Sequence, residues 1–151
     1  CFFVCNYINK FNSWDLNTKY YQKLPIMTDE QIKEWNDNDF EIGSHSLDHA
    51  NLNNLEEKEI MTQLNESKEY FKKKFNINVE SFSYPYGKYN QKIIKFVEKY
   101  YKFAVTTKRS RFKFNKFDLL EIPRVPINSN TNIFKFYLKV KTFYEDLNFK
   151  P

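Results

Sequence analysis

His45 and His49 are the only histidines in the 151-residue chain, and they stand four positions apart in Gly43-Ser44-His45-Ser46-Leu47-Asp48-His49. Within one helical turn, positions i and i+4 point the same way, so two neutral imidazoles could meet one zinc-like cation at about 2.0–2.1 Å. Taken alone, such a spacing arises easily by chance, and a pair of surface histidines is the plainer reading. The setting argues for the metal. Both residues follow a glycine at the end of an apolar run that reads as a strand. A second cluster, Ser81-Phe82-Ser83-Tyr84-Pro85-Tyr86-Gly87-Lys88-Tyr89-Asn90, reads as a strand ending in a Pro-aromatic-Gly turn with a helix cap behind it. Strand ends of this kind are where α/β proteins build their sites.

The elements that must position these groups alternate between short β-like runs and longer helical periods, the pattern of strand–helix repeats feeding a mostly parallel sheet. Cys1 to Cys5 reads as a strand. Thr28-Asp29-Glu30-Gln31 is a capping box that opens a helix through about Asn36. Phe40 to Gly43 reads as the next strand. Asn54 can cap a long helix whose Ile60, Leu64, Ser67, Phe71 and Phe75 recur at spacings of four and three, a stripe that must face a core. Val79 to Tyr84 is a strand, Asn90 caps a helix carrying Ile93, Ile94, Val97 and Tyr101, and Phe103 to Thr107 is another strand. Residues 108–118, with Lys108, Arg109, Arg111, Lys113 and Lys116 around Phe112, Phe114 and Phe117, read as an exposed loop or hairpin. Ile122 to Val125 is a short strand, and a last helix from about Thr131 gathers Ile133, Phe134, Tyr137, Val140, Phe143 and Tyr144 on one side.

The length suits a single domain, 1–151, with a real core. Sixteen Phe, eleven Tyr and an apolar share of 41% exceed what a disordered chain carries. A net charge of +5 favours anionic partners but speaks to association rather than chemistry. The basic and aromatic stretch from Lys108 to Phe117 is expected to be a solvated face, and no nucleic acid partner is expected. No apolar run approaches the ~20 residues of a membrane-spanning helix. Cys1 and Cys5, about 13 Å apart on an extended strand, cannot form a disulfide and are expected to be buried thiols.

These motifs together resemble the NodB-homology polysaccharide deacetylases (carbohydrate esterase family 4-like), whose second motif is His-Ser/Thr-x-x-His and whose third ends in Pro-Tyr. Phe2-Phe3-Val4 is similar to the strand after that family's first motif, and Met27 to Trp35 to the helix before Gly-Ser-His. The resemblance runs from Cys1 to about Val125. It implies an α/β fold, an incomplete distorted (β/α) barrel, with Zn2+ or another divalent ion such as Co2+, Ni2+ or Mn2+ held by His45 and His49 together with an aspartate. It implies hydrolysis of N-acetyl groups on an N-acetylglucosamine-containing envelope glycan, exopolysaccharide or peptidoglycan by a metal-bound water, with a carboxylate as general base. The main-chain N–H of Tyr86 is the implied oxyanion donor, and Pro85, Tyr84 and the Tyr86 side chain the implied substrate wall. A cell-envelope or secreted setting follows from the same resemblance, with a cytoplasmic one left open.

The match departs from the family pattern in three places. The first motif, Thr-Phe-Asp-Asp-Gly, which supplies the base and the aspartate ligand, is absent, so the chain is read as truncated on its N-terminal side and impaired in turnover. Ser83 stands where the third motif carries an arginine, which makes Arg124, in Ile122-Pro123-Arg124-Val125-Pro126, the candidate for that contact. No histidine follows His49, so the late general acid has no counterpart. A small amide or cyclic imide hydrolase on the same scaffold, or an inactive glycan-binding module, are the two alternatives.

Overall fold

Five short strands lie side by side in the computed structural model, which describes every residue except 17, 20, 116, 117, 143 and 145–151. They are β1 (Phe2–Phe3), β2 (Gly43–Ser44), β3 (Ser81–Ser83), β4 (Phe103–Arg109) and β5 (Ile122–Arg124). All four pairings are parallel, in the order β1-β2-β3-β4-β5. Each strand thus pairs with the next in sequence. A sequential order of this kind builds a barrel wall, whereas a doubly wound sheet reverses direction at its centre. The expected incomplete α/β barrel is therefore the fold, and its strands are wholly parallel.

The connecting helices are α1 (Asp29–Asp37), α2 (Glu57–Phe75) and α3 (Gln91–Val97). The Thr28 side chain accepts from Gln31 N–H while Gln31 caps in return, so the capping box forms as read. Asn90 likewise accepts from Ile93 N–H. The start of α2 differs: Glu56 and Glu59 form its capping box, and Asn54 instead ends a 3-10 turn over Leu52–Asn54. The stripe on α2 holds, with Ile60, Leu64, Ser67 and Phe71 buried and Phe75 packed at the core's edge. It meets Phe3, Phe82, Ile93 and Val97 in one cluster, burying the side chains that secure the sheet.

Several boundaries move. Val4 ends β1's extended run and Cys5 opens a 3-10 turn, leaving Cys5 buried but Cys1 exposed, both as free thiols. Phe40 lies outside β2 and is exposed. Lys108 and Arg109, expected in a loop, extend β4; Lys108 pairs with Glu121 at 2.8 Å. Lys116 and Phe117 lie outside the described residues. The final helix, α4 (Ile133–Lys141), is capped by Asn132. Its apolar side does not face the core: Ile133, Phe134, Tyr137 and Val140 are exposed, while Lys139 is buried and donates to the Pro126 carbonyl. Phe143 lies outside the described residues.

Candidate active site

The candidate side chains come from the C-terminal ends of β2, β3 and β5, on the rim where parallel barrels place their chemistry. His45 leaves β2 directly, with its N–H donating to Phe3 O at 2.8 Å. The segment that follows is not the helical turn expected from the spacing. Ser46 and His49 both take left-handed backbone, with φ of 68° and 58°, and these two bends turn the imidazoles toward each other. Their ring centroids lie 4.7 Å apart at 77°. Left-handed backbone costs a non-glycine residue roughly 1–2 kcal/mol, and local hydrogen bonds hold it here. Ser46 N–H donates to Ser44 Oγ and His49 N–H to Ser46 Oγ.

Gln63 of α2 pins the stretch between the two histidines. Its Oε1 accepts from both Leu47 N–H at 3.0 Å and Asp48 N–H at 3.2 Å, and its Nε2 donates to Asp48 Oδ2. Asp48 is thereby used in holding the loop, and it is exposed.

The two imidazoles are held differently. His45 Nδ1 lies 2.6 Å from the Ser83 carbonyl, which can only accept, so Nδ1 carries the proton and Nε2 keeps its lone pair. Burial pushes the His45 pKa down to about 4, with the nearby His49 and Arg124 acting the same way against the Ser83 hydrogen bond. Burial also lowers His49, against the opposing pull of Asp15. Both rings are therefore neutral at pH 7, the form that ligates metal. His49 Nδ1 is buried and has no hydrogen-bond partner.

Tyr86 sits in the turn after β3, with φ 57° followed by Gly87 at φ 63°. Its N–H has no backbone partner beyond its own turn among the described residues. Its ring meets His49 edge-on at 4.5 Å. Pro85 is buried. Tyr84 is 1% exposed, stacks on Tyr89 and donates its hydroxyl to Leu120 O at 3.0 Å, so it supports the wall and has no free hydroxyl to offer. Arg124, at the end of β5, anchors its Nε on Thr106 O at 2.7 Å. No carboxylate lies within ion-pair distance of Arg124 among the described residues.

Tyr86 separates two cavities. One, of about 540 Å³, is lined by Tyr7, Trp14, Asp48, His49, Ala50, Asn51, Tyr86 and Lys88. The other, of about 370 Å³, is lined by Phe2, His45, Ser83, Tyr84, Tyr86, Gly87, Thr107 and Arg124. Thus every residue singled out in the sequence except Pro85 lines one cavity or the other. Trp14, Tyr7 and Gln63 were not singled out. Gln63 had a legible signal, a polar residue on the buried stripe of a helix.

Two neutral imidazoles facing each other, one with an orphaned buried nitrogen, fit as two donors to a divalent cation. A full set needs more: no group of three His, Cys, Asp or Glu side chains able to hold a metal occurs among the described residues.

The family model described as polysaccharide deacetylase matches residues 1–103. The chain belongs to the polysaccharide deacetylase family. Among its relatives is the Bacillus subtilis (strain 168) protein named "Putative polysaccharide deacetylase YxkH", 37% identical over 82 residues, which are 54% of this chain and 29% of that protein. The Bacillus cereus polysaccharide deacetylase BC0361 superposes with a TM-score of 0.73 at 27% identity, covering 85% of this chain and 39% of that one. The Streptococcus pyogenes deacetylase PplD, solved in complex with acetate, shares the fold with a TM-score of 0.70 at 23% identity, covering 84% of this chain and 54% of that one. This polysaccharide deacetylase chain thus matches between about three-tenths and just over half of the length of these relatives. No helix of the described residues is long and apolar enough to cross a membrane.

Proposed function

We propose that this polysaccharide deacetylase chain forms the histidine-bearing side of a metal-dependent site that hydrolyses N-acetyl groups on an N-acetylglucosamine-containing glycan. The observation that carries the reading is the approach of two neutral imidazoles, 4.7 Å apart, beside the Tyr86 turn. His45 and His49 would hold Zn2+ or a similar divalent ion, which when bound supplies Lewis-acid polarisation of the acetamide carbonyl and an acidified water.

The chain's own groups then have defined tasks. The Tyr86 N–H, which among the described residues donates to no backbone carbonyl outside its own turn, stabilises the negative charge that develops on the carbonyl oxygen, a task for a donor fixed in place before the reaction. The Tyr86 ring and Pro85 shape the wall against which the acetamide rests, and Tyr84, locked on Leu120, keeps that wall from moving. Arg124, tied by Nε and free of a carboxylate partner in the described residues, presents its remaining donors toward the His45 cavity, where they orient an acidic group. Ser83 has a different task from the arginine it replaces: its carbonyl fixes the His45 tautomer.

The test is acetate release from N-acetylglucosamine oligomers and N-acetylated polysaccharide, with Zn2+ or Co2+ added, by this chain and by any longer protein that contains it. Metal-dependent release that His45→Ala and His49→Ala abolish is the expected result. No release from any N-acetylated glycan by any such protein overturns the reading.

A further inference from the structure

A metal-ligating imidazole is ordinarily oriented by a hydrogen bond from its second nitrogen. His45 has that bond, to Ser83 O. The His49 ring has none among the described residues, and its Nδ1 is buried without a partner. Packing takes the place of the bond. The Trp14 indole stacks on the imidazole at 4.9 Å and 26°, and Tyr86 closes from another side, edge-on. Tyr7 braces Trp14 in turn, at 4.9 Å and 84°.

Trp14 is itself placed by a closed excursion of the chain after β1. Asn12 clasps its base three times: its N–H donates to Leu24 O at 3.1 Å, its Oδ1 accepts from Leu24 N–H at 2.7 Å, and its Nδ2 donates to Gln22 O at 2.9 Å. A Phe11–Pro25 bridge lies alongside. From this clasp rises the turn Ser13–Asp15, which sets Trp14 on His49 and brings Asp15 Oδ1 to 3.4 Å from the Tyr86 hydroxyl. One turn therefore reaches both partners of the imidazole, Trp14 directly and Tyr86 through Asp15.

We propose that Trp14 is a positioning residue that fixes the ring plane of His49 by stacking, with the Asn12 clasp as the device that holds it there. The consequence for cation binding rests on the reading of His49 as a ligand; the positioning itself does not.

The experiment uses the whole chain and two measurements. In metal-free protein, ¹³C relaxation at the imidazole carbons of His49 is compared with that of His45, which serves as an internal check that the fold is intact. The His49 ring is expected to be as ordered as His45 in the wild type, to loosen in Trp14→Ala and in Asn12→Ala, and to stay ordered in Trp14→Phe. Calorimetric titration with Zn2+ is expected to show affinity about 10–100-fold weaker in Trp14→Ala and largely restored in Trp14→Phe. A His49 ring that keeps its order in Trp14→Ala overturns the proposal. If neither the wild-type chain nor any longer protein that contains it binds Zn2+, the ligand reading of His49 fails, while the relaxation comparison still decides whether Trp14 positions the ring.

Discussion

The Nδ1 of His45 donates to the main-chain carbonyl of Ser83 across 2.6 Å, joining the rim ends of β2 and β3 through the imidazole itself. Any change that charges or removes this ring acts on the sheet as well as on the site.

A pH dependence follows. The His45 pKa falls to about 4 in the folded chain through burial, from an ordinary value of 6.5. As pH drops below 6.5, the unfolded chain takes up a proton that the folded chain refuses until about pH 4, so folding stability declines over that window, by on the order of 3 kcal/mol in total. Burial moves His49 in the same direction. Urea titrations of metal-free protein between pH 7 and pH 4 are expected to show this acid limb, and His45→Gln to flatten it. An equally steep limb in the variant would assign the effect to His49 or to carboxylates.

Gln63 is expected to matter more than a glutamine on a helix usually does. Gln63→Leu keeps the volume but leaves the Leu47 and Asp48 N–H groups without their acceptor, at a cost of about 1–3 kcal/mol. Zn2+ affinity should weaken about tenfold as the loop between the histidines loosens. Thermal denaturation and calorimetry on the one variant check both figures.

Arg124 offers the opposite contrast. It is exposed and unpaired by carboxylates among the described residues, so Arg124→Met loses chiefly the hydrogen bond to Thr106 O and should cost only about 1 kcal/mol of stability. Acetate release by a protein carrying the active site should nevertheless fall by about 10–1,000-fold, and Arg124→Lys should recover little because an ammonium lacks the planar fork. Full activity in the methionine variant would remove Arg124 from the site.

Gly87 tolerates no side chain. Its φ of +63° disfavours one, and a Cβ there would overlap the side chain of Thr107 on β4. Gly87→Ala is predicted to destabilise the chain by about 2–4 kcal/mol, the sum of left-handed strain and overpacking. Equilibrium unfolding in urea measures it directly, and a loss below about 1 kcal/mol would contradict the tight turn.

What the sequence made legible was local. Thr28 with Gln31, and Asn90, cap their helices as read because a cap involves residues three apart and little else. Asn54 misled because Asn51 caps a short 3-10 turn that intervenes before Glu56 starts α2. For the site, the pairing of His45 with His49 was legible but its geometry was not, since left-handed Ser46 and His49 carry no glycine to mark them. Trp14 and Gln63 reach the loop from well before and well after it in sequence, and pattern reading within one element cannot see such contacts. Nor could periodicity decide which side of α4 meets the protein, because aromatic residues mark a helix face without saying what lies opposite.

Ser46, His49 and Tyr86 place three non-glycine residues with φ between 57° and 68° around a single site. An evolutionary experiment that rewards heat tolerance alone would therefore be drawn to relax the backbone with Gly or Asn here, and at His49 and Tyr86 each such gain would remove a side chain that lines a cavity.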